Sequence, residues 1–127
     1  MPLVRISLKE GKPAAYRKAI ADGVYTALRE TFNVPEEDRF MTISQHDDES
    51  FFYGQNYLGL SRSDNLVILQ ITVSNTRTIE QKKALFARIA EKLAQSPGLR
   101  REDVFINLVE VVKENWSFGN GIAQYAD

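Results

Sequence analysis

The chain has 127 residues, 43% of them hydrophobic and 10% aromatic, which is enough for one domain with a core of its own. A formal charge of −1 and a pI of about 5.9, with Lys and Arg spread through the predicted helices, argue against nucleic acid or an anionic membrane surface as a partner. The absence of cysteine excludes disulfides, thiolate catalysis and thiolate metal sites, and a lone His46 excludes paired-histidine zinc chemistry. Arg5, Lys9 and Glu10 arrive too early for a signal peptide, and no apolar run approaches the ~18 residues of a membrane span. A soluble cytoplasmic protein is the expectation.

In chain order, the first element is a strand over 2–9, whose alternating Val4, Ile6 and Leu8 follow Pro2 directly. Met before Pro is normally trimmed, which would leave Pro2 as a terminal secondary amine able to act as base or hydrogen-bond donor. The plainer reading is an edge-strand proline whose missing N–H does no harm. Tyr16, Ile20, Val24, Leu28 and Phe32 recur every fourth residue, predicting a helix with Pro13 in its first position that ends near Asn33 and Pro35. A second strand is expected over 39–46.

The segment 47–65 holds Phe51, Phe52, Tyr53, Tyr57, Leu58 and Leu60, too apolar for a simple solvent loop, and reads as a short hairpin or extra strand. Strand 66–74 follows. The run Thr78, Ile79, Glu80, Gln81 is a capping box opening a second helix with Leu85, Phe86, Ile89 and Leu93 as its buried face, stopped by Pro97 and Gly98. Strand 104–112 and a C-terminal segment 113–127 complete the single domain, 1–127.

A shift of 65 positions lays Glu37 to Ile43 over Glu102 to Leu108, with Asp38 falling on Asp103 and Phe40 on Phe105. It also lays Val4, Ile6 and Leu8 over Leu69, Ile71 and Val73, and Ile20, Val24 and Leu28 over Leu85, Ile89 and Leu93. Two copies of one β-α-β unit, approximately 2–46 and 66–112, explain this economically. Right-handed crossovers then put both helices on one face of a four-stranded sheet, an α+β architecture. The other face stays bare, which suggests oligomerisation.

A β-α-β duplication of this length headed by Met1 and Pro2 resembles the tautomerase superfamily. The stretches Val34 to Phe40, Thr78 to Lys82 and Trp116 to Gly119 are similar to its malonate semialdehyde decarboxylase branch, a likeness over most of the chain. The resemblance implies a homotrimer acting without a cofactor or metal on small oxo acids. It makes Pro2 the catalytic amine, Asp38 its acidic partner, Arg77 the cation for a substrate carboxylate, and Trp116 and Phe118 the pocket walls. Asn75 joins Arg77 as a substrate-binding candidate. That branch tends to carry two arginines before its second helix, whereas Ser74, Asn75 and Thr76 precede Arg77 here. Arg39 and Arg62 are spare cations that could replace the missing one.

Two chemistries follow from the resemblance. A protonated Pro2 beside a carbonyl oxygen would stabilise the enolate left by decarboxylation of a 3-oxo acid, while a neutral Pro2 would shuttle protons in a 2-oxo acid, as a keto-enol tautomerase does. Decarboxylation is the first expectation. The bland alternatives are a loop-capping Asp38, a solvated Arg77, and Trp116 and Phe118 as packing residues. A non-catalytic oligomeric interaction protein is the rival from another class, and a ferredoxin-like nucleic-acid binder lacks the expected basic sheet. His46 beside Asp47 and Asp48 is a weak metal signal, and no metal is expected.

Overall fold

The computed structural model describes residues 1–126. Its elements are β1 (Pro2–Lys9), α1 (Ala14–Phe32), β2 (Phe40–His46), β3 (Val67–Ser74), α2 (Ile79–Gln95) and β4 (Val104–Val111). The sheet order is β2, β1, β3, β4. β1 runs parallel to β2, and β3 parallel to β4, as helix crossovers require. The two units meet where β1 and β3 pair antiparallel, Pro2 opposite Val73 and Arg5 opposite Gln70. That antiparallel seam gives the duplication an approximate two-fold axis, with equivalent sites at opposite ends of the sheet.

Alternation sets the core. Val4, Ile6 and Leu8 of β1 and Val67, Leu69, Ile71 and Val73 of β3 face the helices and are buried, packed with Ile20, Val24, Leu28 and Phe32 of α1 and Leu85, Ile89 and Leu93 of α2. The helices approach closely at Gly23, where an added Cβ would stand 2.9 Å from Leu93 Cδ2. The capping box is formed as expected, Thr78 Oγ1 accepting from Gln81 N at 3.1 Å and Gln81 Oε1 from Thr78 N at 3.0 Å. No described helix is long and apolar enough to cross a membrane.

Four expectations need correction. The segment 47–65 forms no hairpin or extra strand; it is a loop with one 3-10 turn at Tyr57–Gly59, because Leu58 takes a left-handed backbone at φ 60° and ends any extended run. Pro13 caps α1 from outside with ψ 161° and is not its first helical residue. Phe86 is exposed, one step off the buried stripe of Leu85, Ile89 and Leu93. The open sheet face is not a continuous apolar patch, since Thr42, Arg5, Gln70 and Asn107 line up across its middle. Its apolar residues gather at the two ends, Leu3 beside Phe40 and Ile68 beside Phe105.

Candidate active site

The register places the site. Pro2 is buried at the head of β1, and its neighbour Leu3 pairs with Phe40, which brings the loop carrying Asp38 to the same end of the sheet. Opposite Pro2, β3 runs out through Val73 and Ser74 into the turn that holds Asn75, Thr76 and Arg77. β4 ends alongside, and the chain after it returns Trp116 and Phe118 to this end.

Asp38 is 8% exposed, and neither carboxylate oxygen has a hydrogen-bond partner among the described residues. Burial pushes its pKa up, with the terminal amine and Arg77 pulling the other way. Desolvation lowers the pKa of the Met1 amine; Arg77 adds to this and Asp38 opposes it. Arg77 is itself half-buried. Its Nη2 donates to Phe32 O at 2.9 Å, and its guanidinium lies 4.9 Å from the Phe32 ring centre. Burial weakens its hold on the proton, while Asp38 and then Tyr125 strengthen it. Terminal amine, Asp38, Arg77 and Tyr125 therefore form one electrostatic group.

Beside this group lies a cleft of about 220 Å³ lined by Pro2, Leu3, Phe40, Trp116, Ser117 and Phe118. Trp116 Nε1 donates to the buried Ser74 Oγ at 3.1 Å, and its ring stacks on Phe118 with centroids 5.5 Å apart and planes 13° from parallel. Phe118 also leans on Phe40 at 6.4 Å and meets the edge of Tyr125 at 5.1 Å. Larger hollows exist, such as the groove of about 630 Å³ along Tyr25, Arg29 and Pro35, but neither Pro2 nor Asp38 lies in it.

Pro2, Trp116 and Phe118 thus share one cleft, while Asp38 and Arg77 are charge-coupled to each other and to the terminal amine. Asn75 is not drawn in the same way: its side chain is exposed, and its backbone N donates to Val111 O at 3.0 Å. Arg39 is occupied by Asp22, with Nη2 2.6 Å from Oδ1, and Arg62 lies at the opposite end of the sheet, so neither replaces a second arginine here. Sequence reasoning missed Ser74 and Tyr125. Ser74 carried no pattern beyond ending a strand, and Tyr125 reaches the site only through the Gly119 and Gly121 turn.

A family profile described as Tautomerase enzyme matches residues 38–119, and a second family of the same description matches residues 2–61. The chain belongs to the tautomerase family. It is 41% identical to the probable tautomerase YusQ of Bacillus subtilis (strain 168), over 98% of each chain. Among solved structures, it is similar to the FG41 malonate semialdehyde decarboxylase inhibited by 3-bromopropiolate, with TM-score 0.91 and 41% identity over 97% of this chain and 93% of that one. A malonate semialdehyde decarboxylase described with decarboxylase and hydratase activities also superposes at TM-score 0.91, with 32% identity over 97% and 95% of the two chains. The tautomerase-like architecture and the decarboxylase-like branch expected from the sequence are therefore shown.

Proposed function

We propose that the chain, once Met1 is removed, is a cofactor-independent enzyme that uses the Pro2 amine on small oxo acids, foremost to decarboxylate a 3-oxo acid of the malonate semialdehyde type. The observation that carries this reading is the buried Asp38 carboxylate, unpartnered beside the chain's terminal amine. A desolvated anion without a partner is costly unless something supplies one, and a protonated Pro2 amine would. Arg77 would bind the substrate carboxylate. As the bond from that carboxylate carbon to the neighbouring carbon breaks, its electron pair forms an enolate whose oxygen accepts a hydrogen bond from the Pro2 ammonium. Carbon dioxide leaves, and the enolate carbon takes up a proton to give the aldehyde. Trp116 and Phe118 would keep water from the end of the cleft where charge is lost.

The burial of Pro2 supports a second chemistry, since desolvation of an amine freed there would favour its neutral form, the base needed for keto-enol tautomerisation of a 2-oxo acid. Both chemistries use the same residues. Self-association, with a homotrimer as the assembly, belongs to this proposal and is supported by Leu58, which stands 77% exposed on a single chain.

The test is an intact mass of untagged protein, followed by assays on malonate semialdehyde and an enolised 2-oxo acid with wild type and Pro2→Ala. Loss of Met1 with turnover that disappears in Pro2→Ala supports proline catalysis, and the preferred substrate selects the chemistry. Retained Met1 with no turnover of either substrate favours an interaction protein that keeps only the fold.

A further inference from the structure

The duplication carries a second cleft at the far end of the sheet. Moving the lining of the first by one repeat turns Pro2 into Val67, Leu3 into Ile68 and Phe40 into Phe105, and turns Trp116 and Phe118 back into Phe51 and Tyr53. A hollow of about 340 Å³ lies at that place, with Phe52, Tyr53, Tyr57, Arg62, Ile68 and Phe105 among its lining. The catalytic elements do not survive the copy. Val67 sits inside the chain, so no amine can form there, and Asp103 is wholly buried with its oxygens taken by Ser63 N at 2.7 Å and Ser63 Oγ at 2.6 Å.

What this cleft has instead is Arg62, 8% exposed in an otherwise aromatic and aliphatic lining. Its Nη1 donates to Gly54 O at 2.9 Å and Tyr57 O at 3.0 Å, holding the loop. Its Nε and Nη2 make no hydrogen bond among the described residues, and neither is sealed from solvent. Nor does any described carboxylate neutralise it. Asp64 is held by Tyr53 Oη at 2.7 Å and Lys9 Nζ at 3.1 Å, and Asp103 faces Ser63 and, at 3.7 Å, Arg100 Nη1. A cation buried this far without a counter-charge, with a planar fork of donors to spare, fits a carboxylate.

We propose that this second cleft is a non-catalytic binding site for a small organic monocarboxylate with a flat apolar body, its carboxylate on Arg62 and its body against Phe52, Tyr53 and Phe105. The volume is near the low end of small-molecule pockets, roughly 300 Å³, so a single ring fits. Apolar walls disfavour inorganic anions, which would give up hydration for nothing but Arg62. The site stands whether or not Pro2 is catalytic, because the two clefts share no residue.

The experiment is an amide and indole NMR titration of the full chain with benzoate, using benzyl alcohol as the uncharged control. The Gly54, Tyr57 and Phe105 signals are expected to shift and saturate at millimolar benzoate, and not with benzyl alcohol. Arg62→Met should weaken that binding about tenfold or more by removing the charged donors. Because Arg62 also holds the loop, Ile68→Trp is the second variant: it fills the cleft, leaves Arg62 in place and should abolish the same shifts. The Trp116 indole signal reports the first cleft and should respond to benzoate alike in wild type and both variants. The proposal is overturned by absent shifts at Gly54, Tyr57 and Phe105, by an equal response to benzyl alcohol, by shifts that survive both variants, or by a crystal grown with benzoate in which a second copy's side chains fill the cleft.

Discussion

Asp38 and Asp103 hold equivalent positions in the two repeats, yet Asp103 accepts two hydrogen bonds from Ser63 while Asp38 accepts none from any described residue. The same residue type is structural at one end of the sheet and unspent at the other. Asp103→Ala would leave the half-buried Ser63 N and Oγ without their acceptor, so it should cost about 1 kcal/mol or more of stability in urea unfolding. Asp38→Asn should cost nothing measurable and still lower kcat/KM roughly a hundredfold or more, the usual scale for a lost acid–base partner. Equal stability losses in the two variants would remove the distinction.

Stability should carry a pH signature of the same carboxylate. Burial raises the Asp38 pKa above its unfolded value, so the folded state holds that proton more tightly. Its contribution is therefore fully present below the ordinary aspartate range and is lost as pH rises through the raised value. Asp38→Asn cannot titrate there. The difference in unfolding free energy between the variant and wild type should shift in the variant's favour as pH climbs out of the acid range, and level off above it. Parallel curves for the two proteins across that range would mean that Asp38 is not desolvated.

Ser74 acts on the cleft through another side chain. Its Oγ accepts from Trp116 Nε1 at 3.1 Å and so fixes the ring that stacks on Phe118. Ser74→Ala leaves the indole N–H without a protein partner at a cost of about 1 kcal/mol. With one tryptophan in the chain, the result is readable directly: a shifted Trp emission maximum and kcat/KM reduced about tenfold, since a loosened wall readmits water. Ser74→Thr, which keeps the hydroxyl, should restore the emission. A Ser74→Ala protein with unchanged emission would show that the bond does not orient the ring.

The repeat made most of the fold legible, because both units use the same alternation and the same four-residue stripe, and each buried position in one predicts its counterpart in the other. The loop 47–65 was misread for a physical reason. Phe52, Tyr53 and Tyr57 line a hollow beside the sheet instead of pairing with it, and the left-handed turn at Leu58 is invisible in composition. Pro2 stood out by its place directly after Met1, whereas Asp38 entered through the resemblance, its repetition as Asp103 pointing instead to a loop cap; the bonds that Asp103 accepts and Asp38 lacks are visible only in three dimensions. Tyr125 was not found, since its link to Asp38 and Arg77 is made by a turn that no periodicity encodes.

Arg77 is the residue on which binding and folding most directly compete. Its Nη2 donates to Phe32 O, a carbonyl in the last turn of α1, and its plane lies against the Phe32 ring, so part of its donor capacity is already used inside the protein. Its Nη1 donates to Thr76 Oγ1 at 3.3 Å, and Asp38 and then Tyr125 act on its charge. Arg77→Met should therefore lose about 1 kcal/mol of stability through the orphaned carbonyl and raise KM for an oxo acid between about tenfold and a hundredfold, the value of charge-assisted bonds to a carboxylate. Arg77→Lys separates the two effects: an ammonium can restore a charge to the substrate, but it lacks the fork that reaches Phe32 O at the same time. Partial recovery of KM without recovery of stability is the expected pattern. A Lys variant that regains stability and leaves KM as poor as in Arg77→Met would make Arg77 a tether for α1 and require another cation for the substrate.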